Sequence, residues 1–114
     1  MRLTLQQIKE LQEQFDKGHE GNIPFYEDIN EDNLEVLEHL IVCLVGEMGE
    51  FANILKKCKR GDFSLPDKKE ELDEELTDMF IYLIKISNQL KVDLEKHFLE
   101  KMEQNRLKFQ KYEI

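Results

Sequence analysis

The sequence predicts an all-α fold, a four-helix protomer built on a central antiparallel helix hairpin and assembled into an oligomeric helical bundle. Three observations predict it. Apolar residues recur at helical steps of three and four almost from end to end. Breakers are scarce, with 2 prolines and 5 glycines in 114 residues. No segment alternates apolar and polar residues as a half-buried strand does. The length suits one domain spanning residues 1–114, long enough to bury roughly two-thirds of its unfolded surface.

The first helix starts after Thr4, whose hydroxyl caps it while Gln7 reaches back. Leu5, Ile8, Leu11 and Phe15 form one face, and Lys17-Gly18 ends it. Residues 18–30 carry glycines, a proline and polar breakers and read as a loop, framed by Phe15, Phe25 and Tyr26, where a base can stack. Asn30 is the expected cap of a second helix running to about Lys59, with Lys56, Lys57, Lys59 and Arg60 at its negative dipole end and Gly61 beyond. A third helix is expected from Pro66-Asp67, with Glu70 completing a capping box, to about Asn88. Asp93 caps a fourth that runs towards Tyr112.

Composition narrows the function. A formal charge of −9 repels nucleic-acid phosphates and anionic lipid, so neither nucleic acid nor membrane is an expected partner. The longest apolar run, Leu40 to Val45, is too short to span a bilayer, and Met1-Arg2-Leu3-Thr4 opens no signal peptide, so a cytoplasmic location is expected. Cys43 and Cys58 form no metal-type spacing and read as reduced thiols, Cys43 packed in the core.

Two helices carry tighter patterning. Leu34, Leu37, Ile41, Leu44, Met48, Phe51 and Leu55 alternate steps of three and four, as do Leu72, Leu76, Met79, Leu83, Ile86 and Leu90. Each makes a seam for side-by-side packing. Around residues 40–45 the second helix is apolar on every side, more than a small protomer hides from water, and a homodimer or homotetramer is expected.

Against these seams stand four acids. Glu47 and Glu50 share a face of the second helix, and Leu40 and Ile54 stand seven residues either side of Glu47. Glu75 and Asp78 repeat the spacing on the third. Positions 47 and 78, and positions 50 and 75, are mirrored about the same point between Asp62 and Phe63. An antiparallel hairpin folded there sets all four at one height, about 20 Å from the turn. Four carboxylates without histidine describe a hard-cation site, Mg²⁺ or Mn²⁺. The same spacing also describes interhelical polar contacts and solvated charge, as it must at Glu10/Glu13 and Glu100/Glu103.

Gly46-Glu47-Met48-Gly49-Glu50-Phe51, followed by Glu74-Glu75-Leu76-Thr77-Asp78, resembles the metal-binding signature of the MazG-like all-α nucleotide pyrophosphohydrolases. Val92-Asp93-Leu94 and Lys101 to Arg106 resemble that family's fourth-helix segment, and the likeness covers about residues 37–109. The GExGE form is more similar to the dCTP-pyrophosphatase branch; Gly46 stands where the MazG proteins themselves carry a further glutamate. The resemblance implies hydrolysis of (deoxy)nucleoside triphosphates to monophosphate and pyrophosphate, in a nucleotide-pool-cleaning role. It implies Glu47, Glu50, Glu75 and Asp78 as Mg²⁺ ligands, one of the glutamates doubling as general base. It also implies Lys101 and Asn105 as phosphate and sugar contacts and Tyr82 as a residue near the substrate. Lys56 is a further candidate for a phosphate, although helix-end electrostatics accounts for it more simply. His39 reads as a core or interface histidine rather than a catalytic one. The rival readings are a phosphoribosyl-ATP pyrophosphatase-like enzyme and a non-catalytic helical assembly protein.

Overall fold

The computed structural model describes residues 2–114; Met1, on which the reading of the N-terminus partly rests, lies outside them. The chain forms α1 (Leu5–Lys17), α2 (Leu34–Arg60), α3 (Leu65–Gln89) and α4 (Leu94–Lys108), then a 3-10 turn, Gln110–Tyr112. Among the described residues there is no β-strand, only an isolated bridge between Glu20 and Pro24. No helix is long and apolar enough to cross a membrane.

The helix ends follow local hydrogen bonding. Gln7 N donates to Thr4 Oγ1 at 3.1 Å and Thr4 N to Gln7 Oε1 at 2.8 Å, closing the capping box expected there. The cap of α2 is Asn33, not Asn30. Asn30 Oδ1 instead accepts from Asp32 N at 2.7 Å, and Asn33 Oδ1 accepts from Asn30 N at 2.7 Å, so both amides are consumed in the preceding turn. Gly61, at φ 92°, ends α2 in the left-handed region. α3 begins one residue before Pro66, because Ser64 Oγ takes the Asp67 amide at 3.3 Å; Glu70 lies a turn too late for the expected capping box. Asp93 caps α4 through Lys96 N at 3.1 Å, but that helix stops at Lys108 and the chain reaches Tyr112 in the 3-10 turn.

Only four residues, 61–64, separate α2 from α3, and these two helices form the most extensive packing in the chain. Two long helices so joined meet over their length only by running antiparallel. The apolar seams divide into two heptad rows. Leu37, Leu44 and Phe51, with Leu72, Met79 and Ile86, are buried or half-buried. Leu34, Ile41, Met48 and Leu55, with Leu76, Leu83 and Leu90, are exposed. The core proper is Leu40, Leu72 and Ile84. Leu40 stands on the row of Glu47 and Ile54, which turns towards α3 in place of the outer seam row.

α1 packs on α3 with a face rotated from the apolar one expected. Leu5 and Ile8 are half-buried, but Leu11 and Phe15 are exposed, and the positions turned inward are Gln12 and Asp16. Two buried amides at the end of α3 hold this N-terminal region. Asn88 Nδ2 donates to Lys9 O at 2.9 Å, and Gln89 Nε2 donates to Phe25 O at 3.3 Å while its Oε1 accepts from Glu27 N at 3.3 Å. α4 packs mainly on its own 3-10 turn and buries no residue. The chain is accordingly extended. Its accessible surface is 9044 Å², where about 6,600 Å² is usual for a folded monomer of this mass. Its radius of gyration is 17.5 Å, against about 13 Å for a compact domain of this length.

Candidate functional site

Three of the four mirrored acids meet. Carboxylate oxygens of Glu47 on α2 and of Glu75 and Asp78 on α3 lie within 4.8 Å of one another, and all three residues are half-buried. The helical step of three sets Glu75 beside Asp78 on one face, and the four-residue connection sets the register that brings Glu47 across. Glu50 is exposed and stands outside this trio, but it is near enough to act on the Glu75 carboxyl.

This crowding has an electrostatic consequence. The facing carboxyls of Glu47 first and Glu50 second, within reach to share a proton with Glu75, then loss of water and the two neighbouring negative charges, push the Glu75 carboxyl up to about 8. Glu47 Oε2 and Glu75 Oε2 are shut off from water without a hydrogen-bond partner. Two ionised carboxylates facing one another are acceptors only, so they are satisfied either by a shared proton or by a cation. An all-oxygen donor set with two orphaned oxygens fits a hard divalent ion and lacks the sulfur or imidazole that zinc favours.

The other expected residues are placed unequally. Tyr82, one heptad beyond Glu75, lines a cavity of about 430 Å³ together with Glu47 and Asp78. Burial first, and a hydrogen bond with the Cys43 thiol second, push its phenol up. Cys43 is thus half-buried beside the site rather than packed in the core. His39 is exposed, its Nε2 3.7 Å from Cys43 Sγ, and is no core histidine. Lys56 is exposed on α2, six residues past Glu50. Lys101 is exposed and Asn105 half-buried on α4, the helix that packs least on the rest of its chain.

The same cavity holds residues that sequence reasoning missed. Asp16 is only 1% exposed and pairs with Lys85 Nζ at 2.9 Å; Gln12 Nε2 donates to the same Oδ1 at 3.0 Å. A signal for Lys85 was present, a lone cation inside the apolar stretch Ile81 to Ile86. Phe15 and Phe25 line the same cavity, whereas Tyr26 is not among its lining and bonds Asp28 at 2.9 Å.

Comparison with known proteins gives matches in the same region. The family model of the MazG nucleotide pyrophosphohydrolase domain matches residues 35–108, from the start of α2 to the end of α4. A protein of Homo sapiens, dCTP pyrophosphatase 1, is 35% identical over 75 residues, which are 62% of this chain and 44% of that protein. The protein of the same name from Mus musculus is 35% identical over the same extent. The Gene 37 protein of Mycobacterium phage L5 is 36% identical over 63 residues, 54% of this chain and 55% of its own length. The chain thus spans about half the length of the curated relatives it matches. No solved structure matches it.

Proposed function

The chain belongs to the MazG nucleotide pyrophosphohydrolase family, and from that premise we propose that it hydrolyses (deoxy)nucleoside triphosphates to monophosphate and pyrophosphate with Mg²⁺, clearing unwanted nucleotides from the pool. The convergence of Glu47, Glu75 and Asp78 carries the reading. These three would hold the ion, with Glu50 at their edge. Mg²⁺, or Mn²⁺ in its place, supplies charge neutralisation of the triphosphate and acidifies water. The carboxylates hold the attacking water against the α-phosphorus, and one of them takes its proton as the bond to the pyrophosphate oxygen breaks. A −9 chain repels a bare triphosphate, so the substrate arrives with its cation.

We further propose that the working unit is a homodimer or homotetramer. About 2,400 Å² of surface beyond that of a compact monomer supports it. The exposed heptad rows on α2 and α3 suit a second helix pair. α4 exposes Phe98, Leu99 and Met102, and in an assembly a neighbouring copy's α4 can set Lys101 and Asn105 against the site, with Lys56 near the phosphates.

The test is a panel of ribo- and deoxynucleoside triphosphates, with Mg²⁺ and with EDTA, with products resolved. Monophosphate and pyrophosphate should form only with the metal. Glu47→Gln or Asp78→Asn should lower kcat at least about a hundredfold without unfolding the chain. No hydrolysis, or orthophosphate alone, would sink the proposal; unchanged turnover in the folded variants would remove these residues from it.

A further inference from the structure

The cavity beside the acidic trio carries a polar wall that the hydrolysis itself does not use. Asp16 lines it, buried, with one oxygen spoken for and one not. Oδ1 receives Lys85 Nζ at 2.9 Å and Gln12 Nε2 at 3.0 Å, while Oδ2 is sealed from bulk water and has no hydrogen-bond partner. A buried carboxylate oxygen left in that state is costly, and burying the pair so deeply invites a role beyond stability. Lys85 has three N–H donors, of which Asp16 takes one. Its side chain is 13% exposed, its ammonium 5.4 Å from the centre of the Phe25 ring. Gln12 can donate to a carboxylate only through its nitrogen, which fixes its amide and leaves Oε1 as a further acceptor.

Asp16, Gln12 and Lys85 all line this cavity, as do Phe15 and Phe25, so two acceptors, Asp16 Oδ2 and Gln12 Oε1, stand with a cationic donor and two aromatic rings. Glu47 and Asp78 line the same cavity of about 430 Å³, so a group seated on this wall adjoins the proposed ion site. We infer that Asp16, Lys85 and Gln12 read the base of the substrate, and that the base carries an amidine edge: an exocyclic amino group beside an unprotonated ring nitrogen, as in cytosine or adenine. The amino group has two N–H donors for the two acceptors, and the ring nitrogen accepts from Lys85. Uracil and thymine present a carbonyl where that amino group would be, which sets oxygen against oxygen. Guanine likewise presents O6 there, and on that Watson–Crick edge its 2-amino group stands beside a protonated N1. This inference rests on the triphosphate reading of the acidic trio but is tested apart from it.

Binding of monophosphates, which needs no turnover, is measured by calorimetry on the intact chain with Mg²⁺. dCMP and dAMP should each bind about tenfold or more tightly than dUMP, dTMP and dGMP, because a site built for an N–H leaves its buried acceptors unpaired without one. The comparison of dCMP with dAMP tells the two amidine sources apart. Asp16→Asn turns the free acceptor into a donor, so the ratio of dCMP to dUMP affinity should fall by about tenfold or more and reverse, a change that mere loosening of the fold does not produce. Should that variant fail to fold, the wild-type chain is titrated with the 2-pyrimidinone deoxyriboside monophosphate, which lacks the 4-amino group; binding should drop about tenfold against dCMP. Equal affinity for dCMP, dAMP and dUMP, or an unchanged ratio in folded Asp16→Asn, overturns the inference. Selective binding without pyrophosphate release would overturn the hydrolase reading and leave this one standing.

Discussion

Glu75 concentrates the chemistry of the site in one side chain. Its carboxyl, pushed up to about 8 by the facing carboxyls of Glu47 and Glu50, keeps a proton that the unfolded chain releases near the ordinary value of 4.5. Across that window the folded state binds more protons than the unfolded one, so stability falls as pH rises. The metal-free chain should melt at a lower temperature at about pH 9 than at about pH 5, and saturating Mg²⁺ should recover most of the loss at the higher pH. Differential scanning calorimetry in EDTA and in Mg²⁺ checks both. Glu75→Gln should raise the metal-free melting temperature at about pH 9 and still abolish turnover, since it removes a repelled charge and a ligand together. Asp16 behaves oppositely. Asp16→Ala strands the Lys85 ammonium against Phe25 and should cost about 3–5 kcal/mol in urea unfolding. The acids at 47, 75 and 78 were legible in sequence through their spacing. Asp16 was not, because its partner is 69 residues away and its own helix shows a more obvious apolar face at Leu11 and Phe15.

At the level of helices, chemistry confined to one turn was readable and chemistry shared between turns was not. The box of Thr4 and Gln7 and the cap at Asp93 are local, and both formed. Asn30 carries the right side chain for a cap, but a nearer backbone amide at Asp32 competes for it. The connection between α2 and α3 decides the register of the site, and two of its residues can be tested. Gly61→Ala must hold φ near 92° with a Cβ and should cost about 1 kcal/mol. Ser64→Ala loses the cap on Asp67 N and should cost about 1 kcal/mol. Both read out as shifts in urea midpoint with the m-value unchanged. Neither residue lies among the acids, so a fall in kcat larger than the stability loss explains would report a shifted register between Glu47 and Asp78.

The whole molecule is wider than its mass warrants, and the excess lies on faces with a repeat of seven. If copies of the chain cover those faces, light scattering should give a mass of two or four times 13.7 kDa. Ile41→Glu with Leu83→Glu, both on exposed rows, should return the monomer and lose turnover, because Lys101 and Asn105 would no longer reach a site. A monomeric wild type with full activity would overturn that assembly. The amino-acid sequence alone sufficed for the helical class, the two acidic pairs and the turn that mirrors them, because each depends on spacing within a few turns. Only tertiary structure decided which of two equivalent heptad rows turned inward, that Glu50 stands at the edge of the trio, and that Asp16 and Lys85 share a cavity with it. Those choices depend on how α1 rotates against α3 and α2 against α3, and a rotation of that kind leaves the periodicity of each helix unchanged.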